Sequence, residues 1–118
     1  MCGIAGWYAG DTRHDGMAEV AAMSRSIAHR GPDDDGIYVD EAAGIVLAHR
    51  RLSIIDLGAG GHQPMASADG AVVLAFNGEL YNFVALRREL ESLGHAFRSR
   101  SDTEVVLAAL VHLSLIHI

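Results

Sequence analysis

The chain has 118 residues, half of them hydrophobic and one-fifth charged, with a single cysteine and a formal net charge of −6. That is enough apolar material for a core, in a length that suits one domain or a piece of a larger one. The acidic balance and the lack of any Lys/Arg block argue against nucleic acid or an anionic membrane as partner. One cysteine rules out an internal disulfide, and no window approaches a secretion signal or the ~18 apolar residues of a spanning helix. These features predict a cytoplasmic protein that acts on a small polar molecule.

In chain order, CGIAGWY (2–8) has the content of a strand, and AGDTRHDG (9–16) supplies turn residues. Met17, Val20, Ala21, Ile27 and Ala28 fall near helical spacing up to His29, and Gly31 and Pro32 end that helix. PDDDG (32–36) reads as a turn, IYV (37–39) and IVLAHRRLSII (45–55) as strands joined through Ala43 and Gly44, and residues 56–70 as a long loop. AVVLAF (71–76) is a short continuous apolar run, most simply a buried strand, which delivers NGELYN (77–82). Phe83, Leu86, Leu90 and Leu93 mark a second helix stopped by Gly94. AFRS (96–99) reads as a further strand, and Ser101 with Glu104 as a capping box for a third helix. Neighbouring strands joined by short turns favour an α+β layered fold over an alternating parallel sheet.

The third helix runs into LVHLSLIHI without a stop signal. We therefore read residues 113–118 as a tail foreign to the gene, since LSLIHI is what a common transposon-type sequencing adapter spells in frame. Independent DNA carrying the same codons across this junction would sink that reading.

Four features carry candidate chemistry. Cys2 is small enough for routine removal of Met1, which leaves an α-amine a few ångströms from the thiol. The amine's ordinary pKa is about 7.7–8.0 and the thiol's about 8.5, so the amine can take the thiol's proton at little cost near neutral pH. Nucleophile and base then come from one residue, although a lone cysteine also serves as a small buried hydrophobe.

Asn77-Gly78 is a hairpin signal of the type I′ turn, yet FVALRREL behind it has helical periodicity. A side-chain amide beside an unobstructed backbone N–H also makes an oxyanion hole, where one donor contributes roughly 2.7–4 kcal/mol. Arg50 and Arg51 point to opposite faces of their strand. One suits an exposed charge, the other a clamp for a carboxylate through its planar fork. Asp102 suits either a helix N-terminal acid or a partner for an ammonium group. PDDDG and GAGGHQP lack the register of calcium and phosphate loops, and the histidines show no metal-ligand spacing.

Six motifs in order, MCGIAG, HRGPDDDG, AHRRLSIIDL, GHQPM, NGELYNF and LRRELESLGHAFRSRSDTEVVL, resemble the N-terminal glutaminase domain of glutamine-dependent asparagine synthetases, members of the class II glutamine amidotransferases. The similarity runs from Met1 to about His112, so residues 1–112 are read as a partial domain of that class. The branch also includes synthetase-like enzymes with other ammonia acceptors.

The resemblance implies an N-terminal nucleophile (Ntn) hydrolase fold, an αββα four-layer sandwich with antiparallel sheets, incomplete here at its C-terminus. It implies that Cys2, after loss of Met1, is the nucleophile, with its own α-amine as base. Asn77 through its side chain and Gly78 through its N–H would hold the oxyanion. Arg51, favoured over Arg50, would hold the α-carboxylate of L-glutamine, with Leu52 and Ile54 shaping that wall, and Glu79 and Asp102 would bind the α-amino group. No cofactor or metal is implied for this domain. A C-terminal synthetase domain, absent from these 118 residues, would use ATP and magnesium to activate aspartate, and the resemblance admits a homodimer. The glutaminase reading leads; the second reading is an inactive truncated fragment, since a split core buries its sheet faces poorly.

Overall fold

The computed structural model describes residues 1–10 and 16–113, which fall into two units. The first comprises Met1–Ser53, His62–Pro64 and Ala75–Asn77; the second comprises Ile54–Gly61, Met65–Leu74 and the chain from Gly78 on.

In the first unit, β1 (Gly3–Tyr8), β2 (Asp34–Asp40) and β3 (Ile45–Arg51) form an antiparallel sheet in the order β1-β3-β2. Strand alternation puts Val46, Ala48 and Arg50 of β3 on one face and Leu47, His49 and Arg51 on the other. The first face carries the core: Val46 and Ala48 pack with Val20 of α1 (Met17–Ser26), and Ala5 and Trp7 of β1 close over them. Burying a side chain the size of valine contributes about 1.5–3 kcal/mol, so this small cluster is the unit's main apolar anchor. Only Val20 and Ser24 of α1 are buried, so its apolar stripe is narrower than the spacing predicts. The predicted helix also breaks after Ser26, and Ala28–Arg30 continue as a 3₁₀ turn.

Two expectations fail in this unit. PDDDG is not a turn beyond its first two residues, because Asp34, Asp35 and Gly36 already belong to β2. Partners on β3 outweigh the turn-forming composition: the Asp33 N–H donates to the Arg51 carbonyl at 3.0 Å, and Asp35 meets Arg50, its cross-strand neighbour, at 3.2 Å. The strand predicted to run through Ile55 ends at Arg51. Beyond it, the Leu52 N–H goes to the Cys2 sulfur and the Ser53 N–H to the Asp33 carboxylate, so side chains replace the ladder. The expected link at Ala43 and Gly44 is present, closed by the Ala43 N–H on Asp40.

In the second unit, β4 (Met65–Ala66) and β5 (Val73–Leu74) form a two-stranded antiparallel hairpin, while α2 (Phe83–Ser92) and β4 each pack against α3 (Asp102–Leu113). Leu90 of α2 and Val105 and Leu107 of α3 are its buried apolar residues. Gly94, at φ 96°, ends α2 in a conformation that side chains resist, and it lets the His95 N–H return to the Leu90 carbonyl at 3.0 Å.

AVVLAF is not a buried strand: only Val73 and Leu74 pair, and both are half-exposed, because β4 offers them a partner two residues long. AFRS is no strand either. The N–H groups of Arg98 and Ser99 bind the Glu104 carboxylate at 2.9 and 2.7 Å, which leaves them nothing to give a neighbouring strand. The capping box fails for the same reason, since Glu104 reaches past Ser101; the Ser101 hydroxyl still accepts the Thr103 N–H at 3.1 Å and caps α3 alone.

The fold is thus α+β with antiparallel sheets, and no helix among the described residues is long and apolar enough to cross a membrane. Most of the turn predicted after β1, and the tail beyond Leu113, lie outside the described residues.

Candidate active site

Cys2 directly precedes β1 and is half-buried. Its sulfur accepts the Leu52 N–H at 3.4 Å, and its S–H lies 3.7 Å from the carbonyl of the same residue. The Arg30 Nε–H donates to the Cys2 carbonyl at 3.0 Å. Backbone and thiol are therefore both held, and Met1 is 74% exposed.

Antiparallel pairing of β1 with β3 explains the neighbourhood. With Gly3 opposite Arg50, Cys2 falls beside the end of β3, where Arg51 and Leu52 follow. Arg51 is 7% exposed and shares a face with His49, so it is no surface charge. Arg50 is not one either: it lies on the core side, paired with Asp35, and its side chain is only 18% exposed. The expectation of one simply solvated arginine is therefore corrected. Charge on both faces of β3 is tolerated because β2 supplies acids opposite both positions, Asp34 to Arg51 and Asp35 to Arg50.

His49 is 1% exposed, and its Nε2 lies 3.1 Å from the carbonyl of Phe76. A carbonyl only accepts, so Nε2 carries the proton; Nδ1 is buried with no hydrogen-bond partner among the described residues. Burial pushes the pKa of His49 below its ordinary value; the Phe76 bond works against that shift and the nearby Arg51 charge adds to it.

Gln63, 5% exposed, accepts the Phe76 N–H on Oε1 at 2.6 Å. It reaches this place because Gly36 of β2 has no side chain: a Cβ there would come within 2.2 Å of the Gln63 carbonyl. Beside it, His62 Nδ1 meets the Asp34 carboxylate at 2.7 Å. Asn77 follows Phe76 at the end of this unit's last segment and is exposed.

In the second unit, Gly78 and Glu79 are exposed, and the next residue, Leu80, gives its N–H to the Asp102 carboxylate at 3.0 Å. Asp102 is the first residue of α3 and 7% exposed. Ile54 is 61% exposed, and Leu52 of the first unit is half-buried. The type I′ hairpin at Asn77-Gly78 does not form. Gly78 is not among the glycines with positive φ, β5 pairs back to β4, and α2 follows.

Of the predicted residues, the structure brings Cys2 and Leu52 into contact with Arg51 alongside, and it ties Asp102 to the residue after Glu79. Sequence reasoning missed Arg30, His49 and Gln63. Their signal was faint: a polar residue at an inward position of an apolar strand for His49, and a proline neighbour in a loop for Gln63.

Residues 1–114 match the family model described as a glutamine amidotransferase domain. The chain belongs to that family. It is 43% identical over 118 residues to asparagine synthetase (glutamine-hydrolyzing) 1 of Bacillus subtilis (strain 168), an alignment covering 95% of this chain and 18% of that protein. Asparagine synthetase B (glutamine-hydrolyzing) of Escherichia coli (strain K12) is 43% identical over 111 residues, covering 92% and 19%. Asparagine synthetase (glutamine-hydrolyzing) 1 of Arabidopsis thaliana is 41% identical over 107 residues, covering 90% and 18%. The chain thus spans less than a fifth of the length of these relatives.

Proposed function

We propose that this chain hydrolyses L-glutamine to glutamate and ammonia with Cys2 as nucleophile. The observation that carries the reading is the thiol of Cys2, held against the backbone of Leu52 immediately beyond the buried Arg51, in a chain of the glutamine amidotransferase family.

After Met1 is removed, the Cys2 α-amine accepts the thiol proton and the thiolate attacks the side-chain carboxamide carbon. The carbonyl electrons move to oxygen, and that oxyanion receives hydrogen bonds from the Asn77 amide and the Gly78 N–H. Collapse expels ammonia, which leaves with the proton held by the α-amine, and a γ-glutamyl thioester remains. Water, deprotonated by the same amine, attacks the thioester, releases glutamate and returns the thiol. Arg51 grips the substrate's α-carboxylate, Leu52 and Ile54 wall that end, and Glu79 and Asp102 bind the α-ammonium.

Residues 1–112 would then be part of an Ntn-type αββα domain. In a longer protein the ammonia would serve an ATP- and magnesium-dependent synthetase domain that converts aspartate to asparagine in the cytoplasm, and two copies could pair. The names of the relatives support this reading.

The test is the intact mass of the purified chain before and after a diazo-ketone analogue of glutamine. Loss of Met1 and one adduct mapping to Cys2 is expected. Loss of Met1 with no adduct would reject a working glutamine site in this chain.

A further inference from the structure

The backbone of Phe76 is gripped from two sides by buried side chains that the mechanism does not use. Gln63 Oε1 accepts its N–H at 2.6 Å and His49 Nε2 donates to its carbonyl at 3.1 Å. These two bonds fix two successive peptide planes. The N–H belongs to the plane shared with Ala75, and the carbonyl belongs to the plane shared with Asn77. With both planes pinned, the φ and ψ of Phe76 are set, and so is the direction in which Asn77 leaves the fold.

A β-ladder would ordinarily do this, but β5 has ended at Leu74. The two side chains replace the missing partner strand. Both are almost fully buried, whereas Asn77 is exposed. A rigid mount directly behind an accessible amide is the arrangement that preorganised hydrogen-bond donors need, since a supporting shell must hold them to within about 0.5 Å.

We propose that His49 and Gln63 are positioning residues for the oxyanion-binding amide of Asn77, an inference that rests on the amidotransferase reading above. Gly36 belongs to the same device, because only a residue without a side chain lets the 62–64 segment lie against β2. The ring of His49 is almost fully buried. Solubility of the ring is therefore no reason for a histidine here, whereas the Nε2–H bond to Phe76 is one.

The test compares two ligands on the purified chain. The γ-aldehyde analogue of glutamate adds to the Cys2 thiol as a hemithioacetal, whose oxygen takes the oxyanion's place; glutamate itself forms no such bond. His49→Leu and Gln63→Met should each weaken the aldehyde about ten- to a hundred-fold, the scale expected for an ångström of misplacement, and leave glutamate within about two-fold. His49→Gln keeps a donor and Gln63→Glu keeps an acceptor, so both should recover most of the loss. In an Asn77→Ala background, His49→Leu should add nothing.

Equal weakening of both ligands, no weakening at all, or a loss that adds fully to that of Asn77→Ala would overturn the proposal. The His49 and Gln63 variants are read independently, so one that folds is sufficient. A parent chain with no affinity for the aldehyde would overturn the amidotransferase reading, and the inference with it. A parent that binds the aldehyde and loses it on Asn77→Ala, but not on His49→Leu or Gln63→Met, would overturn the inference alone.

Discussion

The carboxylate of Asp102, buried at the start of α3, accepts the backbone N–H of Leu80 at 3.0 Å, although the two residues are 22 positions apart. Asp102 is therefore both a helix N-terminal acid and a tether for the segment that carries Gly78 and Glu79. The two roles predict different variants. Asp102→Ala leaves the Leu80 N–H without its acceptor and should lower stability by about 1–3 kcal/mol. Asp102→Asn keeps an acceptor oxygen and should lose less than half of that, while its lost charge should raise KM for glutamine. Urea unfolding of both variants checks the first part; equal destabilisation would mean that charge at the helix start, not the tether, carries the effect.

Arg51 is buried, so its substitution separates charge from shape. Arg51→Lys keeps the charge and loses the planar fork that matches a carboxylate. KM for glutamine should rise about ten-fold, the scale of one lost bidentate contact, with kcat within about two-fold. An unchanged KM would remove Arg51 from the carboxylate site.

His49 makes stability depend on pH. Burial holds its folded-state pKa below the ordinary 6.5, so below that value the unfolded chain binds the proton that the folded chain resists. Its contribution is fully present above about pH 6.5 and lost as pH falls below it, with the loss levelling off once the lowered folded value is passed. Between pH 8 and 5.5 the urea midpoint of the parent should fall further than that of His49→Gln, which has no ring to protonate. Parallel curves would mean that His49 is not held neutral.

Glu104 accepts three hydrogen bonds, from the N–H groups of Arg98 and Ser99 and from the Ser99 hydroxyl at 2.5 Å. Glu104→Ala should cost about 1–3 kcal/mol by leaving these donors unmatched. Glu104→Gln, whose amide nitrogen cannot accept, should fall between the two. Amide exchange at Arg98 and Ser99 should accelerate in both; protection unchanged in the alanine variant would contradict the role.

The same residue shows where sequence reading stops. The three helices, β1 and most of β3 are legible because apolar spacing and turn chemistry lie within one window. AFRS and AVVLAF look like strands because their composition is that of strands. Their backbone groups are instead satisfied by side chains: Glu104, only six and five residues on, for Arg98 and Ser99, and the distant His49 and Gln63 for Phe76. Composition does not tell a side-chain partner from a strand partner, and for Phe76 no local pattern encodes it. PDDDG misleads in the opposite direction, since Arg50 and Arg51 draw a turn-like composition into β2. In the site, Cys2 stands out by position and Arg51 by resemblance. Arg30, His49 and Gln63 act on backbone atoms, and a residue's hold on a remote carbonyl or N–H leaves at most a faint signature in the letters around it.

The register of β3 has a consequence for which changes this chain can absorb. Its alternation sends His49 and Arg51 to one face and Arg50 to the other, and Cys2 is aligned with them through Gly3 opposite Arg50. One residue added to or removed from 45–48 would shift His49 and everything after it by one place and exchange the two arginines between faces. Composition, charge and hydropathy would hardly change. Arg51 would point into the α1 side, and the Phe76 carbonyl would lose its donor. A frame-preserving insertion or deletion there should therefore behave as loss of function in a chain that still looks like a member of its family.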